Sequence, residues 1–137
     1  MQTGLCYDDV LLVPQYSEIS SRHKINIKSH VGNLLSLDTP IVAAPMDTVC
    51  EADMAIALHK QGAFGILHRY NDLEEQLKMY LEVQKAGAQC GAAIGTGKDS
   101  LERAIALAGA GCEVICVDVA HGHHVNVKKT LESLRGA

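Results

Sequence analysis

Residues 90–117 read CGAAIGTGKDSLERAIALAGAGCEVICV, and this stretch contains one complete repeat of the pattern on which the chain is built. A short apolar run, Cys90–Ile94, is followed by a glycine-rich turn and by an amphipathic segment, Leu101–Ala108, which ends at glycines. A second apolar run, Val114–Val117, completes the repeat. This succession of strand, helix and strand is typical of a parallel βαβ unit.

The same pattern occurs four times from residue 39 onwards, with a new strand about every 25 residues. Each predicted strand is a continuous apolar run, as expected for a parallel sheet that is covered on both faces or closed into a barrel. The predicted strands are Thr39–Ala44, Phe64–Leu67, Cys90–Ile94 and Val114–Val117. The predicted helices are Glu51–Gln61, a segment with Leu73, Leu77, Tyr80 and Leu81 on one face, Leu101–Ala108, and Val125–Leu134.

The first 38 residues do not follow this pattern. Leu5–Pro14 is a strand-like apolar run, and Ser20–His30 alternates isoleucines with polar residues. We therefore expect an N-terminal hairpin that caps one end of the sheet. The chain would then be a single domain, with a capping segment at 1–38 and four βα units at 39–137.

Composition excludes several classes of protein. With 137 residues, of which 47% are hydrophobic and 20% charged, the chain can form one domain with a real core. A net charge of -4 without a basic cluster argues against nucleic acid as a partner. No apolar run reaches the roughly 18 residues of a membrane span, and we expect a cytoplasmic protein. Five cysteines without a C-x-x-C pair argue against a disulfide framework or a zinc ribbon.

Candidate chemistry lies in the turns that follow the strands, because ligands of parallel α/β folds bind beyond the carboxyl ends of the strands. These turns contain polar and titratable groups in every unit. Asp47, Asn71 and Asp99 are also residue types that cap helices, so both interpretations stay open for them. The four turns are residues 45–48, 68–71, 95–99 and 118–124.

Three alternative sites are less well supported. Gly95-x-Gly97 with Asp118 is a partial dinucleotide fingerprint, but Ser100 stands at the third glycine position and two βα units precede it. The spacing of Asp118 and the histidines at 121, 123 and 124 is not diagnostic of a metal, and turn histidines are favoured. Cys50 follows the first turn, where packing is favoured over a reactive thiolate.

Taken together, the turns resemble the IMP dehydrogenase and GMP reductase family from about Gly4 to the end of the chain. Four separate blocks match in the right order, which makes the resemblance specific. They are Tyr7–Pro14 (YDDVLLVP), Ala43–Val49 (AAPMDTV), Ile66–Arg69 (ILHR) with Glu74–Gln76 (EEQ), and Asp118–His123 (DVAHGH).

The resemblance implies a (β/α)8 barrel in which a purine nucleotide stacks against NAD or NADP. An eight-stranded barrel needs about 250 residues, so the fold expected here is a parallel (β/α) half-barrel of four βα units, of TIM-barrel type. Ala44 and Met46 would line the nucleotide pocket, and Asp118, Ala120 and Thr96 the cofactor side. Arg69 stands where one branch of GMP reductases has a catalytic lysine. Its pKa is too high for a proton donor, so the resemblance implies an auxiliary electrostatic or positioning role.

Two activities of the family remain open, with IMP and NAD to XMP and NADH as the leading one. The second helix joins the third strand directly, without the regulatory repeats of the CBS type that IMP dehydrogenases carry there. This direct connection points to GMP reductase, which converts GMP and NADPH to IMP and ammonia. The segments Tyr7–Pro14, Pro45–Asp47 and Gly91–Gly97 resemble the dehydrogenases more closely.

The resemblance also implies what these 137 residues do not include. The family's nucleophilic cysteine loop follows the sixth strand, so no catalytic residue other than the auxiliary Arg69 is expected in the chain, and a potassium site of the parent would lie outside it. Partners would be IMP, XMP or GMP, with no nucleic acid or membrane, in a homo-oligomer whose parent is a tetramer. A hypothesis of another class is that the chain is a non-catalytic half-barrel, either a fragment or one piece of an assembly. It would then act as an assembly module through its exposed strand edges.

Overall fold

A four-stranded parallel sheet flanked by helices follows an antiparallel hairpin in the computed structural model of the chain, which describes residues 3–33 and 35–137. Residues 1, 2 and 34 of the expected capping segment lie outside the described residues. The hairpin consists of β1 (Ser29–Val31) and β2 (Leu35–Leu37). The sheet contains β3 (Val42–Ala43), β4 (Phe64–Leu67), β5 (Cys90–Ile94) and β6 (Ile115–Val117). The helices are α1 (Ala52–Lys60), α2 (Leu73–Lys85), α3 (Ser100–Gly109) and α4 (Val125–Gly136).

Strand order in the sheet follows chain order, β3-β4-β5-β6, and every pair is parallel. One helix follows each strand, so all four carboxyl ends lie along one edge of the sheet. The predicted parallel α/β fold of four βα units is confirmed. The order does not reverse within the described strands, whereas a dinucleotide-binding fold binds its ligand where the order reverses.

The core lies between the sheet and the helices, and its largest fully buried side chains include Leu67, Ile94 and Leu107. Helix α1 approaches β4 closely at Gly65, where an added Cβ would lie 2.9 Å from the Cα of Ala55. Cys50 is fully buried in the same cluster, which confirms the packing interpretation of this cysteine.

The first strand of the sheet is shorter than the predicted Thr39–Ala44. Pro40 has no N–H to donate to a ladder, and the N–H of Thr39 turns back to the carbonyl of Gly62. The other strands and helices match the predicted ranges to within two residues. Gly62, at φ 70°, ends the turn after α1, as glycine does after many helices.

The strand prediction for Leu5–Pro14 is wrong. This segment has no partner strand among the described residues, and Tyr7–Asp9 forms a 3₁₀ turn instead. A second 3₁₀ turn, Arg22–Lys24, lies within the predicted Ser20–His30. The hairpin forms later, at residues 29–37, and its β2 lies near the amino ends of the sheet strands, where Leu35 and Phe64 line a cavity of about 200 Å³. Of the helices that the structure describes, none is both long and apolar enough to cross a membrane.

Candidate functional site

An ion pair joins the ends of two strands that are not neighbours in the sheet. Nε of Arg69, after β4, donates to Oδ2 of Asp118, after β6, at 3.1 Å, and Nη2 donates to the backbone carbonyl of Asp118 at 3.2 Å. Both side chains are about two-thirds to three-quarters buried. The guanidinium also lies 5.2 Å from the ring centroid of Tyr70. Arg69 thus crosses the end of β5 and joins the turn after β4 to the turn after β6.

Gly95 makes this crossing sterically accessible. It is the first residue after β5 and lies against the guanidinium, so that an added Cβ would be 3.1 Å from Nη1 of Arg69. This close approach gives Gly95 a packing role that differs from the one it would have in a dinucleotide fingerprint.

His68 fixes the turn that carries Arg69. The ring is 3% exposed, and its Nδ1 accepts a hydrogen bond from the backbone N–H of Tyr70 at 3.2 Å. In the neutral ring the proton therefore lies on Nε2, which donates to Oε1 of Glu51 at 3.0 Å. Sequence analysis did not single out His68, although it stands beside Arg69 in the block that carries the family resemblance.

A buried polar network supports the same turn from the helix side. The amide of Gln76, which is fully buried, donates to the carbonyls of His68 and Ala93 at 2.9 and 2.8 Å. Its Oε1 accepts from Nη1 of Arg103 at 2.9 Å, and Nη2 of Arg103 donates to the carbonyl of Asn71 at 3.0 Å. Arg103 was missed from the sequence because its spacing on α3 carries no signal of burial.

The polar residues of the turns differ in whether they cap a helix. Asp72, not Asn71, caps α2, and its Oδ1 accepts from the N–H of Glu75 at 2.8 Å. Asp99 occupies the N-cap position of α3 without a side-chain capping bond. Oδ1 of Asp47 accepts from the N–H of the next residue, Thr48, at 2.9 Å, and Asp47 caps none of the helices that the structure describes.

The remaining predicted residues also lie in the turns at this edge of the sheet. Ala44 and Met46, after β3, are exposed, Met46 at 49%. Ala120 is exposed in the turn after β6. Thr96 lines a separate cavity of about 320 Å³ between the start of α3 and helix α4.

That cavity has a polar and basic lining. Lys98 and Lys129 contribute to it, together with Thr96, Ser133 and Thr130, the last of which is 9% exposed. The amino end of α3 opens onto it, and helix N-termini favour anions. The cavity can therefore take a hydrogen-bonding ligand with negative charge.

The histidines after β6 take structural positions. Nδ1 of His124 accepts from the N–H of Asn126 at 3.1 Å and caps α4. The rings of His121 and His123 meet edge to face with centroids 6.5 Å apart. In residues 3–33 and 35–137, no group of three or more His, Cys, Asp or Glu side chains is placed to hold a metal ion.

Four of the five thiols are poor nucleophiles. Burial raises the pKa of Cys50 and of Cys112, and it raises the pKa of Cys90 to about 12, with a further rise from the neighbouring thiols. Burial and the charge of Asp118 raise the pKa of Cys116. Cys6 lies exposed at the start of the N-terminal 3₁₀ turn.

Comparison with known proteins gives a consistent result. A family model described as the IMP dehydrogenase / GMP reductase domain matches residues 4–137. A GMP reductase of Leishmania donovani is 46% identical over 83 residues, which are 61% of this chain and 17% of that protein. An inosine-5'-monophosphate dehydrogenase of Cryptosporidium parvum is 30% identical over 175 residues, covering 96% of this chain and 43% of that protein.

A solved structure shares the fold. The crystal structure of inosine 5' monophosphate dehydrogenase from Legionella pneumophila superimposes with a TM-score of 0.82 and 40% identity, covering 94% of this chain and 39% of that chain. In each of these comparisons the chain spans less than half the length of the protein it matches.

Proposed function

Because the chain belongs to the IMP dehydrogenase and GMP reductase family, we propose that it supplies half of a barrel that performs nicotinamide-dependent redox chemistry at C2 of a purine mononucleotide. The observation that carries the proposal is the Arg69–Asp118 pair, which builds a structured edge from two blocks of the family resemblance. The leading reaction is oxidation of IMP to XMP with NAD, and the alternative is reduction of GMP to IMP and ammonia with NADPH.

In this proposal Asp118 contacts the cofactor. Arg69 occupies Oδ2 of its carboxylate, and no donor within the described residues reaches Oδ1. Oδ1 is thus free to accept a hydrogen bond from a ligand hydroxyl. Ala120 lies two residues further on the cofactor side, while Ala44 and Met46 would contact the nucleotide base.

The cavity beside Thr96 fits the phosphates of a nicotinamide dinucleotide. Its two lysines and the amino end of α3 supply positive charge, and its threonines supply hydroxyl groups. The cofactor, once bound, would accept or donate the hydride. The role of this chain is to hold the charged part of the cofactor and to orient it at the strand ends.

Arg69 acts as a positioning residue in this scheme. A guanidinium stays protonated in proteins, so it neither takes nor gives a proton at neutral pH. Its two hydrogen bonds, to the carboxylate and to the backbone carbonyl of Asp118, hold that residue in place. We expect Arg69→Lys to retain part of this role and Arg69→Ala to lose it.

The nucleophile would come from barrel units other than these four. The raised pKa values of the four buried or half-buried thiols leave none of them as a ready thiolate near the strand ends. In the dehydrogenase reaction that the family resemblance implies, that cysteine thiolate would add to C2 of the nucleotide and water would release the product, while the bound cofactor would supply the hydride chemistry. A potassium ion of the parent would likewise bind outside this chain.

The short connection between α2 and β5 bears on the choice of reaction. Only Ala86–Gln89 join the two elements, which leaves no room at this point for a regulatory insert and supports the reductase. The blocks at residues 7–14 and 91–97 support the dehydrogenase, which we retain as the leading activity. We further propose a cytoplasmic location and a homo-oligomer of completed barrels.

The test combines the 137-residue chain with the complementary half of a family barrel. NADH formation is measured with IMP and NAD, and NADPH consumption with GMP. Activity in the first assay supports the dehydrogenase and in the second the reductase, whereas a stable complex that is inactive in both contradicts the proposal. Arg69→Ala should lower the activity more than Arg69→Lys, and Lys78→Ala, an exposed change on α2, serves as the control.

A second candidate function is that of a non-catalytic assembly module. β3 pairs only with β4 and β6 only with β5, so each has an unpaired edge within the described sheet. Ile41 and Val42, at the β3 edge, are 56% and 43% exposed. Unpaired edges favour strand addition from another chain. Sedimentation that shows a stable, well-folded monomer at micromolar concentration would count against self-association through these edges.

A further inference from the structure

The cavity beside Thr96 lies between two helices that follow one another in the chain. Its volume of about 320 Å³ is at the lower end of the roughly 300–1,000 Å³ that small-molecule sites have. The turn after β5 and the start of α3 form one wall, and α4 forms the other. Both walls therefore belong to these four βα units, and no other unit of a barrel is needed to form them.

The lining of this cavity carries positive charge that no described residue neutralises. None of its ten residues is acidic. Lys98 contributes from the turn and Lys129 from α4, and neither ammonium group forms an ion pair within the described part of the chain. The adjacent Lys128, in contrast, lies 3.7 Å from the carboxylate of Glu132. Two unpaired cations in one cavity favour an anionic ligand.

The first turn of α3 adds backbone donors to the same cavity. Asp99 stands at the N-cap position, but its side chain does not cap the helix, and its Oδ2 accepts from Nη2 of Arg103 at 3.5 Å instead. The N–H groups of Leu101 and Glu102 have no acceptor four residues back within the helix and no capping side chain. The positive end of the helix dipole lies at the same place, so an anion is further favoured.

Four hydroxyl groups line the cavity, and two of them have no hydrogen-bond partner within the described residues. Those of Ser100 and Ser133 donate to backbone carbonyls at 2.6 and 3.0 Å. Those of Thr96 and Thr130 are the two without a partner. Thr130 is only 9% exposed, and buried hydroxyl groups in proteins are normally hydrogen-bonded. Its position on the lining therefore indicates a ligand that accepts a hydrogen bond inside the cavity.

The directions of these donors distinguish between kinds of anion. They come from the turn after β5, from the start of α3 and from α4, so they surround the ligand on several sides. A carboxylate has two oxygens in one plane, whereas a phosphate monoester presents three strong acceptor oxygens. Lysine binds phosphate as a point charge and does not require a planar partner. A phosphate group thus matches the lining better than a carboxylate does.

We propose that this cavity binds a phosphate group by itself, and that free phosphate ions compete there with the cofactor. Neither the purine nucleotide nor the other units of a barrel are needed for this binding. The competition rests on the proposed function, which assigns the same cavity to the phosphates of the cofactor, whereas the binding of phosphate does not. We expect a dissociation constant of about a millimolar, the affinity that two or three charge-assisted hydrogen bonds provide.

The first experiment titrates sodium phosphate into the isotope-labelled 137-residue chain and follows the backbone amide signals by NMR. Sodium chloride of equal ionic strength is the reference. We expect saturable shifts for the N–H groups of Leu101 and Glu102. Thr130→Val should weaken binding by about tenfold or more, because one hydrogen bond to a charged group is lost. Thr130→Ser retains the hydroxyl and should restore the affinity.

Two lysine variants keep the test valid if Thr130→Val does not fold. Lys129→Ala, at an exposed position, should weaken phosphate binding by about tenfold, because it removes one charge-assisted hydrogen bond. Lys128→Ala is the matched control, since it removes the same charge from the same helix outside the lining, and it should leave the affinity unchanged. Shifts that do not saturate, or equal weakening by the two variants, would overturn the phosphate site.

The second experiment adds ADP-ribose, which carries the phosphates of a nicotinamide dinucleotide without the nicotinamide, to the phosphate-bound chain. Displacement of phosphate from the amides of α3 supports the competition. Phosphate that stays bound would overturn the competition, and with it the assignment of this cavity to the cofactor. Binding of ADP-ribose in the cavity without any binding of free phosphate would overturn the inference and leave the proposed function standing. None of these measurements depends on catalytic activity.

Discussion

Gly65 shows how one missing side chain sets the distance between a helix and the sheet. A Cβ at this position would lie 2.9 Å from both the Cα and the Cβ of Ala55, so α1 would have to move. We expect Gly65→Ala to lower the free energy of unfolding by about 1–3 kcal/mol through overpacking. Gly109→Ala, where an added Cβ meets no described atom within 4 Å, should change it by less than about 1 kcal/mol or stabilise. Urea unfolding of both variants checks the prediction.

Cys90 makes the free energy of unfolding depend on pH in the alkaline range. Burial raises its pKa from 9.0 to about 12, so the unfolded chain releases the proton first as the pH rises. The contribution of the neutral thiol is therefore complete below pH 9 and is lost between pH 9 and 12. Between pH 9 and 10.5, we expect the free energy of unfolding to fall by about 1–2 kcal/mol less in Cys90→Ala than in the unchanged chain. Equal losses, measured by urea unfolding with Cys6→Ala as control, would contradict this assignment.

At the scale of elements, buried polar side chains connect the crossover helices to the strand ends. Gln76 on α2 satisfies two carbonyls, one in β5 and one after β4, and also the guanidinium of Arg103 on α3. Apolar packing alone would allow these helices to slide, whereas hydrogen bonds of defined direction set their position. The turn that carries Arg69 thus depends on contacts made by two helices.

Gln76→Leu tests this connection. The change leaves two buried carbonyls and one guanidinium N–H without partners, each costing about 1–3 kcal/mol. We expect the free energy of unfolding to fall by about 3 kcal/mol or more. Gln89→Leu, at an exposed position between α2 and β5, is the matched control and should have little effect. Equal losses in chemical denaturation would mean that the network does not stabilise the fold.

For the whole molecule, the proposed function gives these four βα units only part of a nucleotide site. The residues assigned to the base and the cofactor lie at the strand ends, whereas the family resemblance implies that the phosphate-binding loop and the nucleophile belong to other units. Each charge-assisted hydrogen bond contributes about 1.5–3 kcal/mol, so the loss of several weakens binding by roughly three or more orders of magnitude.

We therefore expect the 137-residue chain alone to bind IMP or GMP no more tightly than about millimolar, and to show no turnover. Calorimetric titration with either nucleotide measures this directly. Micromolar binding of IMP that Met46→Ala or Asp118→Ala abolishes would show instead that these units hold a working site by themselves.

Local sequence patterns were sufficient to predict most of the secondary structure and the edge of the sheet at which the candidate site lies. Apolar runs, helical spacing and glycines after helices are local patterns, because each depends only on residues that are close together in the chain. Parallel strands place their carboxyl ends at the same edge of a sheet, so the sequence also predicts the edge at which the turns meet. The ranges of β4 and β5 were predicted without error, and Arg69 and Asp118 were both selected from their turns. The family could be recognised for a similar reason, because three of the four blocks that carry the resemblance include those turns.

The contacts between distant residues were decided by the tertiary structure alone. Arg69 and Asp118 are 49 positions apart, and Gln76 and Arg103 are 27 apart, so no periodicity in the sequence relates them. The apolar run at residues 5–14 is not a strand because a strand needs a partner, and no described segment pairs with it. The sequence by itself determines which residues can form a helix, a strand or a turn. Pairing and burial depend on which surfaces meet in space, and only the folded chain determines that.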